Sequence, residues 1–127
     1  MRTEIQQKID DPPDFQVDLR NKNISDDELL EIINYIHEKK PDVQEIYLGN
    51  NCLEIVTKKA VDILNKFKNI RTLELQSNTI DKQSIENILM LRQAHPSLNL
   101  YLNGNAFTDE GQMDNLKNDT MISRKLN

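Results

Sequence analysis

This chain of 127 residues has one cysteine, no tryptophan and three glycines. A single cysteine cannot form an internal disulfide, so the fold does not depend on an oxidising compartment. The three glycines do not form a glycine-rich phosphate loop. No apolar run is long enough to cross a bilayer, and the opening residues, MRTEIQQKIDDPP, are too polar for a secretory leader. We therefore expect the chain to fold in the cytoplasm.

Positive charge is also scarce, since 16 lysines and arginines stand against 21 acidic residues and the net charge is -5. This balance argues against a surface for nucleic acid or anionic membrane. His37 and His95 lie near the ends of different predicted helices and have no partner at metal-ligand spacing. Cys52 has no nearby histidine, so we predict a partly buried thiol of ordinary reactivity. The sequence predicts neither an enzyme nor a bound cofactor or metal.

What the chain does contain is a phrase repeated three times, apolar-x-Leu-x-x-Asn-x-apolar. The copies are IYLGNNCL (46–53), LELQSNTI (73–80) and LYLNGNAF (100–107), and a weaker copy, VDLRNKNI (17–24), has Lys22 in place of the asparagine. Two apolar residues separated by one position have the period of a strand with one buried face. Each copy therefore predicts a short strand, and its asparagine is predicted to satisfy backbone groups at the turn that follows.

The leucines in the middle of the strands, Leu19, Leu48, Leu75 and Leu102, are separated by 29, 27 and 27 residues. This period suits one strand and one returning helix per unit. The three intervening segments have the apolar spacing of amphipathic helices. Their predicted starts are a capping box at Ser25 and Glu28, a cap at Thr57 and a cap at Asp81; the first helix stops before Pro41 and the third before Pro96.

On these repeats the chain resembles the leucine-rich repeat family, in particular the long-repeat subclass of ribonuclease inhibitor and the C-terminal domain of tropomodulin. NAFTDEG (105–111) is similar to the strand-to-helix junction of that subclass, and the resemblance covers about 15–116. It implies an α/β fold, a right-handed leucine-rich repeat solenoid of about four strand-helix units. Because helices are wider than strands, we expect the parallel sheet on the concave side and the helices on the convex side.

The predicted organisation is one repeat domain between two terminal segments. Residues 1–13 are an N-terminal cap, in which Thr3 caps a short helix carrying Ile5 and Ile9, or a flexible leader. Residues 14–116 form the four units, and the last helix is thin, with only Met113 and Leu116 on its apolar side. Residues 117–127 are a C-terminal tail, either ordered over the last repeat or mobile.

Side chains alternate along a strand, so the residues between the buried ones point into the concavity. The central row is Asp18, Tyr47, Glu74 and Tyr101. Two tyrosines on an exposed row offer rigid contact area and hydroxyl groups, although tyrosine is also a good strand former that packs across strands. The candidate partner-binding residues are Asp18, Arg20, Glu45, Tyr47, Glu74, Gln76, Tyr101 and Asn103.

We expect a non-catalytic protein-protein interaction module, a monomer that binds a protein with a basic or amide-rich surface. A self-assembling scaffold subunit is a second hypothesis, because thin repeat ends invite stacking. The resemblance to ribonuclease inhibitor implies a third, a regulator that inhibits an enzyme. The composition, rich in asparagine and lysine, would also fit a bacterial effector delivered into a host cell.

Overall fold

The strands of this protein form one parallel sheet in the order of the chain. The structure, a computed structural model, describes residues 1–106 and the backbone of residues 122–123. The strands are β1 (Gln16–Asp18), β2 (Glu45–Tyr47), β3 (Thr72–Glu74), β4 (Asn99–Tyr101) and β5 (Ile122–Ser123), and each pairs in parallel with the next. Parallel neighbours in sequence order, with a helix between each pair of successive strands from β1 to β4, are the architecture of a solenoid. The predicted leucine-rich repeat fold is confirmed.

Four helices connect or precede these strands: α1 (Thr3–Asp10), α2 (Asp26–Lys39), α3 (Lys58–Leu64) and α4 (Ile85–Ala94). At the start of α2, Glu28 Oε1 accepts the Ser25 backbone N–H at 3.3 Å. At the start of α3, Thr57 Oγ1 accepts the Ala60 N–H at 3.1 Å. These N-terminal caps are where the sequence places them. The third predicted helix begins differently, because Asp81 caps a 3-10 turn at Lys82–Ser84 that runs into α4.

The core lies between the sheet and the helices as one continuous apolar layer. Each of the four strands β1 to β4 contributes its central residue and the repeat leucine that follows it, and all eight side chains are buried: Val17 and Leu19, Ile46 and Leu48, Leu73 and Leu75, Leu100 and Leu102. The helices add Ile32, Ile33 and Ile36 from α2 and Val61 from α3, and Phe67 closes the layer. Tyr35 is half-buried against this core, as predicted. The buried alternation is what sets the orientation of the opposite, concave face.

The repeat asparagines bind one unit to the one before it. Asn78 Oδ1 accepts the backbone N–H groups of Asn51 and Leu53 at 3.2 and 3.0 Å. Its Nδ2 lies 3.1 Å from the carbonyl oxygens of Leu48 and Leu75. Asn51 and Asn105 repeat this pattern in their own units. The asparagines thus satisfy turn groups as predicted, and they do so mainly in the preceding unit.

This geometry explains why the first copy has Lys22 instead of asparagine. The element that packs before it is α1 and not a repeat unit, so a side-chain amide there has no turn of a packed neighbour to satisfy. The Lys22 backbone N–H instead donates to Asn51 Oδ1 of the second unit at 2.9 Å. Its carbonyl accepts a hydrogen bond from Arg2 Nη2 at 2.6 Å, which ties α1 to this turn.

Each unit also turns through a left-handed backbone conformation two residues after its anchor leucine. The residues are Asn21, Asn50, Ser77 and Gly104, with φ of 59°, 55°, 55° and 74°. Asparagine and glycine tolerate this region at low cost, whereas serine is less suited to it. The sequence analysis did not find this position, because its four residues share no single identity.

The N-terminal helix covers the apolar end of the first unit. Ile5 and Ile9 are fully buried, and Arg2, rather than the predicted Thr3, is the N-cap residue of α1. Behind the helix, Lys40 Nζ donates to the carbonyl oxygens of Asp11 and Pro13 at 2.5 and 3.0 Å. These contacts fix residues 1–13 against the repeats.

Two further predictions concern the turn cysteine and the C-terminal end. Cys52 is exposed and its Sγ lies 3.6 Å from Asn23 Oδ1, so the prediction of a partly buried thiol is wrong; the residue points outward between two buried neighbours. The predicted fourth helix, with Met113 and Leu116, lies outside the described residues. Within the described part of the chain, no helix is long and apolar enough to span a membrane.

Candidate functional site

Strand register brings the four residues of the predicted central row side by side. Asp18 pairs with Tyr47, Tyr47 with Glu74, and Glu74 with Tyr101. Backbone hydrogen bonds from Asn21 to Gly49, from Asn50 to Gln76 and from Ser77 to Asn103 continue the ladder beyond the strands. A second row, Arg20, Gly49, Gln76 and Asn103, therefore runs beside the first on the concave face. The concave arrangement of the predicted site is present in the structure.

Tyr47 is held firmly in this face. Its hydroxyl donates to Glu45 Oε1 at 3.0 Å, and the Arg20 guanidinium lies 5.1 Å from the centre of its ring. Burial first, and then the hydrogen bond to the Glu45 carboxylate, raise the pKa of Tyr47 to about 12. The half-buried ring is fixed on one side by a cation and at its tip by a carboxylate, which suits a preorganised contact surface.

Asp18 and Arg20 form a two-pronged ion pair at the β1 end of the rows. Arg20 Nε and Nη2 donate to the two carboxylate oxygens of Asp18 at 3.0 and 2.8 Å. The hydrogen bond from Arg20 holds the pKa of Asp18 below its ordinary value, and the same bond raises the pKa of Arg20. This geometry commits the guanidinium to Asp18.

Glu74, at the centre of the face, is fully buried with 0% exposure. The expectation of a solvated Glu74 is therefore wrong: β3 lies inside the sheet, between Tyr47 and Tyr101, and the carboxylate is folded into the face. Among the described residues, neither of its oxygens has a hydrogen-bond partner. Arg20 Nη1 is the nearest cation, at 3.8 Å. Burial raises the pKa of Glu74, an effect that the positive charge of Arg20 and, after it, the nearby backbone N–H of Gly49 only partly oppose.

Gln76 and Asn103 extend this group of acceptors. Gln76 is only 9% exposed, because it too lies in a unit with a strand on each side. Within the described part of the chain, Gln76 Oε1 and Asn103 Oδ1 are buried without hydrogen-bond partners. Tyr101 is half-buried beside them. The centre of the concave face therefore holds four buried oxygens that lack donors, two of them on Glu74.

Gly49 is a site residue that the sequence analysis missed. A Cβ added there would lie 2.4 Å from Glu74 Oε1 and 3.4 Å from Gln76 Cγ. The missing side chain leaves the gap in which the Glu74 carboxylate lies. The signal was present, since register puts a glycine of one strand beside a glutamate and a glutamine of the next.

Beside Asp18 the face opens into a polar hollow of about 210 Å³, lined by Lys8, Asp18, Arg20, Asn21 and Lys22. Phe15, just before β1, is 49% exposed. Sequence reasoning did not select Lys8 or Phe15, because the contact of α1 with β1 is tertiary. Both lie close to the predicted face and widen the area open to a partner.

The two histidines have structural surroundings. The His37 ring packs edge-on against Phe67, with ring centres 5.0 Å apart. His95 is the C-cap residue of α4, and burial lowers its pKa. Among the described residues, no three His, Cys, Asp or Glu side chains are grouped to hold a metal ion.

The curved parallel sheet and the asparagine-bound turns define a leucine-rich repeat fold. No protein-family model and no curated protein matches the chain. The chain is similar to a solved structure of leiomodin-1 actin-binding site 2, with a TM-score of 0.67, 19% identity, and coverage of 93% of this chain and 86% of that one. At this identity the likeness shows the fold. An internalin from Listeria monocytogenes matches at a TM-score of 0.47 and 18% identity over 88% of this chain, which spans 35% of the internalin's length.

Proposed function

We propose that the chain is a non-catalytic protein-binding module that holds its partner against the concave sheet. The observation that supports this most directly is the pair of half-buried tyrosines, Tyr47 and Tyr101, flanking a buried carboxylate that lacks donors. Native proteins rarely leave buried acceptors unsatisfied, and the exceptions need an explanation such as a functional role. A bound partner that brings donors supplies that explanation.

The chemistry of the face favours a basic or amide-rich partner. Among the described residues it exposes the carboxylates of Asp18 and Glu45 in part and holds the carboxylate of Glu74 and the amide oxygens of Gln76 and Asn103 buried beneath, whereas its central cation, Arg20, is bound to Asp18. Complementary charge steers encounter and fixes the orientation of a complex. The face would therefore accept donors and repel a partner rich in carboxylates.

The tyrosines would supply most of the affinity. Each ring is a large, rigid contact with a polar tip, the type of residue that dominates alanine scans of interfaces. Tyr47 is already held by Glu45 and Arg20, so little conformational freedom would be lost on binding.

The test compares three immobilised proteins: wild type, the double variant Tyr47→Ala/Tyr101→Ala, and a control, Tyr35→Ala, that removes a tyrosine from α2. Capture is measured by quantitative mass spectrometry of lysate and with purified actin as one defined probe, because the similar solved structure is an actin-binding site of leiomodin-1. We expect proteins retained by wild type and by Tyr35→Ala to be lost from the double variant at least tenfold, with circular dichroism unchanged. Equal capture by the double variant would contradict the concave site.

The same protein preparations distinguish the scaffold hypothesis from the binding-module hypothesis. We expect a monomer in light scattering over a concentration series, and a mass that rises with concentration would favour self-assembly. The cytoplasm remains the expected compartment, where reducing conditions keep an exposed thiol such as Cys52 free.

A further inference from the structure

The Glu74 carboxylate occupies a position that is unfavourable for a charge. It is fully buried, and within residues 1–106 neither oxygen accepts a hydrogen bond. Burying a carboxylate without donors has a high free-energy cost. The side chain nevertheless has three rotatable bonds, so a rotamer change suffices to lift it off the sheet into the concavity.

Arg20 relieves this cost only in part. Its guanidinium makes two hydrogen bonds with Asp18, at 3.0 and 2.8 Å, whereas its nearest approach to Glu74 is 3.8 Å, beyond hydrogen-bond distance. Asp18 therefore competes successfully for the one cation within reach. Glu74 is left available to a donor that arrives from outside.

The absence of a side chain at Gly49 explains why the Glu74 carboxylate can lie in this position. Gly49 leaves a gap beside Glu74, and any larger residue would bring a Cβ to within 2.4 Å of Oε1. Tyr47 and Tyr101 flank Glu74 in register, one on each neighbouring strand. A cationic group between two aromatic rings gains cation-π attraction in addition to its hydrogen bonds.

We propose that Glu74 is a retractable carboxylate that rises from the Gly49 gap to bind one arginine or lysine side chain of the partner protein, between Tyr47 and Tyr101. Gln76 Oε1 and Asn103 Oδ1 are the neighbouring acceptors for its remaining N–H groups. A guanidinium fits this set best, because it carries five donors and no acceptor. The inference rests on the proposed concave-face function and names the group that the face recognises.

The test uses a defined probe, the blocked tripeptide acetyl-Gly-Arg-Gly-amide, followed by amide chemical shifts in ¹⁵N NMR. Its control is the same peptide with citrulline, which has the shape of arginine without the charge. We expect saturable shifts at residues 49, 74, 76 and 103 with a dissociation constant on the order of 1 mM. The citrulline peptide is expected to bind at least tenfold more weakly.

Two variants of the protein give opposite expectations. Glu74→Gln removes the charge at nearly constant shape and is expected to weaken the arginine peptide at least tenfold. Gly49→Ala fills the gap and holds the carboxylate out of it, so we expect binding about threefold tighter than in wild type. Unchanged binding in Glu74→Gln, or the absence of saturable shifts in wild type, would overturn the proposal. The Glu74→Gln result decides it even if Gly49→Ala does not fold.

The two proposals fail in distinguishable ways. If Tyr47→Ala/Tyr101→Ala loses the natural partner while Glu74→Gln keeps it and the arginine peptide does not bind, the concave face stands and the retractable carboxylate is wrong. If the tyrosine variant keeps the natural partner, the concave-face function itself is wrong, whatever the peptide does.

Discussion

Asn78 and Glu74 are four residues apart, and both are buried, with exposures of 4% and 0%. Their side chains differ in how many hydrogen bonds they form. The amide of Asn78 accepts two backbone N–H groups and lies within 3.2 Å of three carbonyl oxygens. The carboxylate of Glu74 has no hydrogen-bond partner within the described residues.

The difference separates two uses of a buried polar group. A satisfied amide between two units adds stability, because its removal would leave several backbone groups without partners. An unsatisfied carboxylate lowers the stability of the free protein, and such sites are enriched where proteins bind or react. The same short segment of the chain therefore serves both the fold and the binding face.

The largest effect is expected for Asn78→Ala. The substitution leaves the N–H groups of Asn51 and Leu53 without an acceptor inside the protein, and we expect the free energy of unfolding to fall by about 3 kcal/mol. Urea denaturation followed by circular dichroism measures it. The control is Asn69→Ala, an exposed asparagine that bonds only the Asp42 side chain at 3.2 Å, with an expected change within about 0.5 kcal/mol. Equal losses in the two variants would show that the Asn78 bonds add nothing.

Glu74→Gln is expected to act in the opposite direction, raising the free energy of unfolding at pH 7 by about 1 kcal/mol. Burial raises the pKa of Glu74 in the folded protein. Its contribution to the free energy of unfolding is therefore fully present below the ordinary carboxyl pKa and is lost as the pH rises through the raised pKa of the folded state. The advantage of the variant should therefore be largest at neutral pH and disappear in acid. Glu54→Gln, an exposed exchange of the same kind, serves as control. A variant less stable than wild type at pH 7 would contradict a costly buried charge.

Asp18→Asn should have a smaller effect on stability, about 0.5 kcal/mol, since the ion pair with Arg20 is partly exposed. The folded pKa of Asp18 is lowered, so its contribution is present above the ordinary value and lost as pH falls through the folded one. The sharper readout is Glu74: a released Arg20 is expected to approach it and lower its pKa. Carboxyl ¹³C NMR titration measures this, and an unchanged Glu74 would show that Asp18 does not compete for the cation.

The smallest effect is expected for Lys22→Asn, which restores the repeat pattern in the first unit. The element packed before this unit is α1, which offers no repeat turn for the new amide to satisfy, so the free energy of unfolding should change by less than about 0.5 kcal/mol. The reverse exchange in the second unit, Asn51→Lys, removes acceptors for Lys22 and Ile24 and should be destabilising by about 3 kcal/mol. Similar results for the two exchanges would contradict the backward direction of the asparagine bonds.

The strands, their register and the helix starts could be predicted because each follows from local information. Alternation at Ile46 and Leu48 reports directly which face is buried, and the 27-residue spacing fixes which strands become neighbours. The side chains of Thr57 and Asp81 accept hydrogen bonds from nearby backbone N–H groups at the starts of their helices, so these starts can be predicted from the sequence. These features depend on residues within one unit.

The burial of the concave residues could not be predicted in the same way, because it depends on the side chains of two neighbouring strands. Alternation places Glu74 on the concave side, but its burial follows from Gly49 on the neighbouring strand. Exposure of Cys52 and Phe15 likewise depends on what the adjacent unit and α1 leave uncovered. Whether the eight candidate residues contact a partner stays a prediction.

The backward reach of the asparagines gives the array a direction during synthesis. When a unit leaves the ribosome, its turn N–H groups have no acceptor until the asparagine of the next unit follows; Lys22 and Ile24 wait for Asn51, and Asn51 and Leu53 wait for Asn78. Each unit is therefore completed by its successor, and a nascent chain stalled between two units carries one unfinished turn at its growing end.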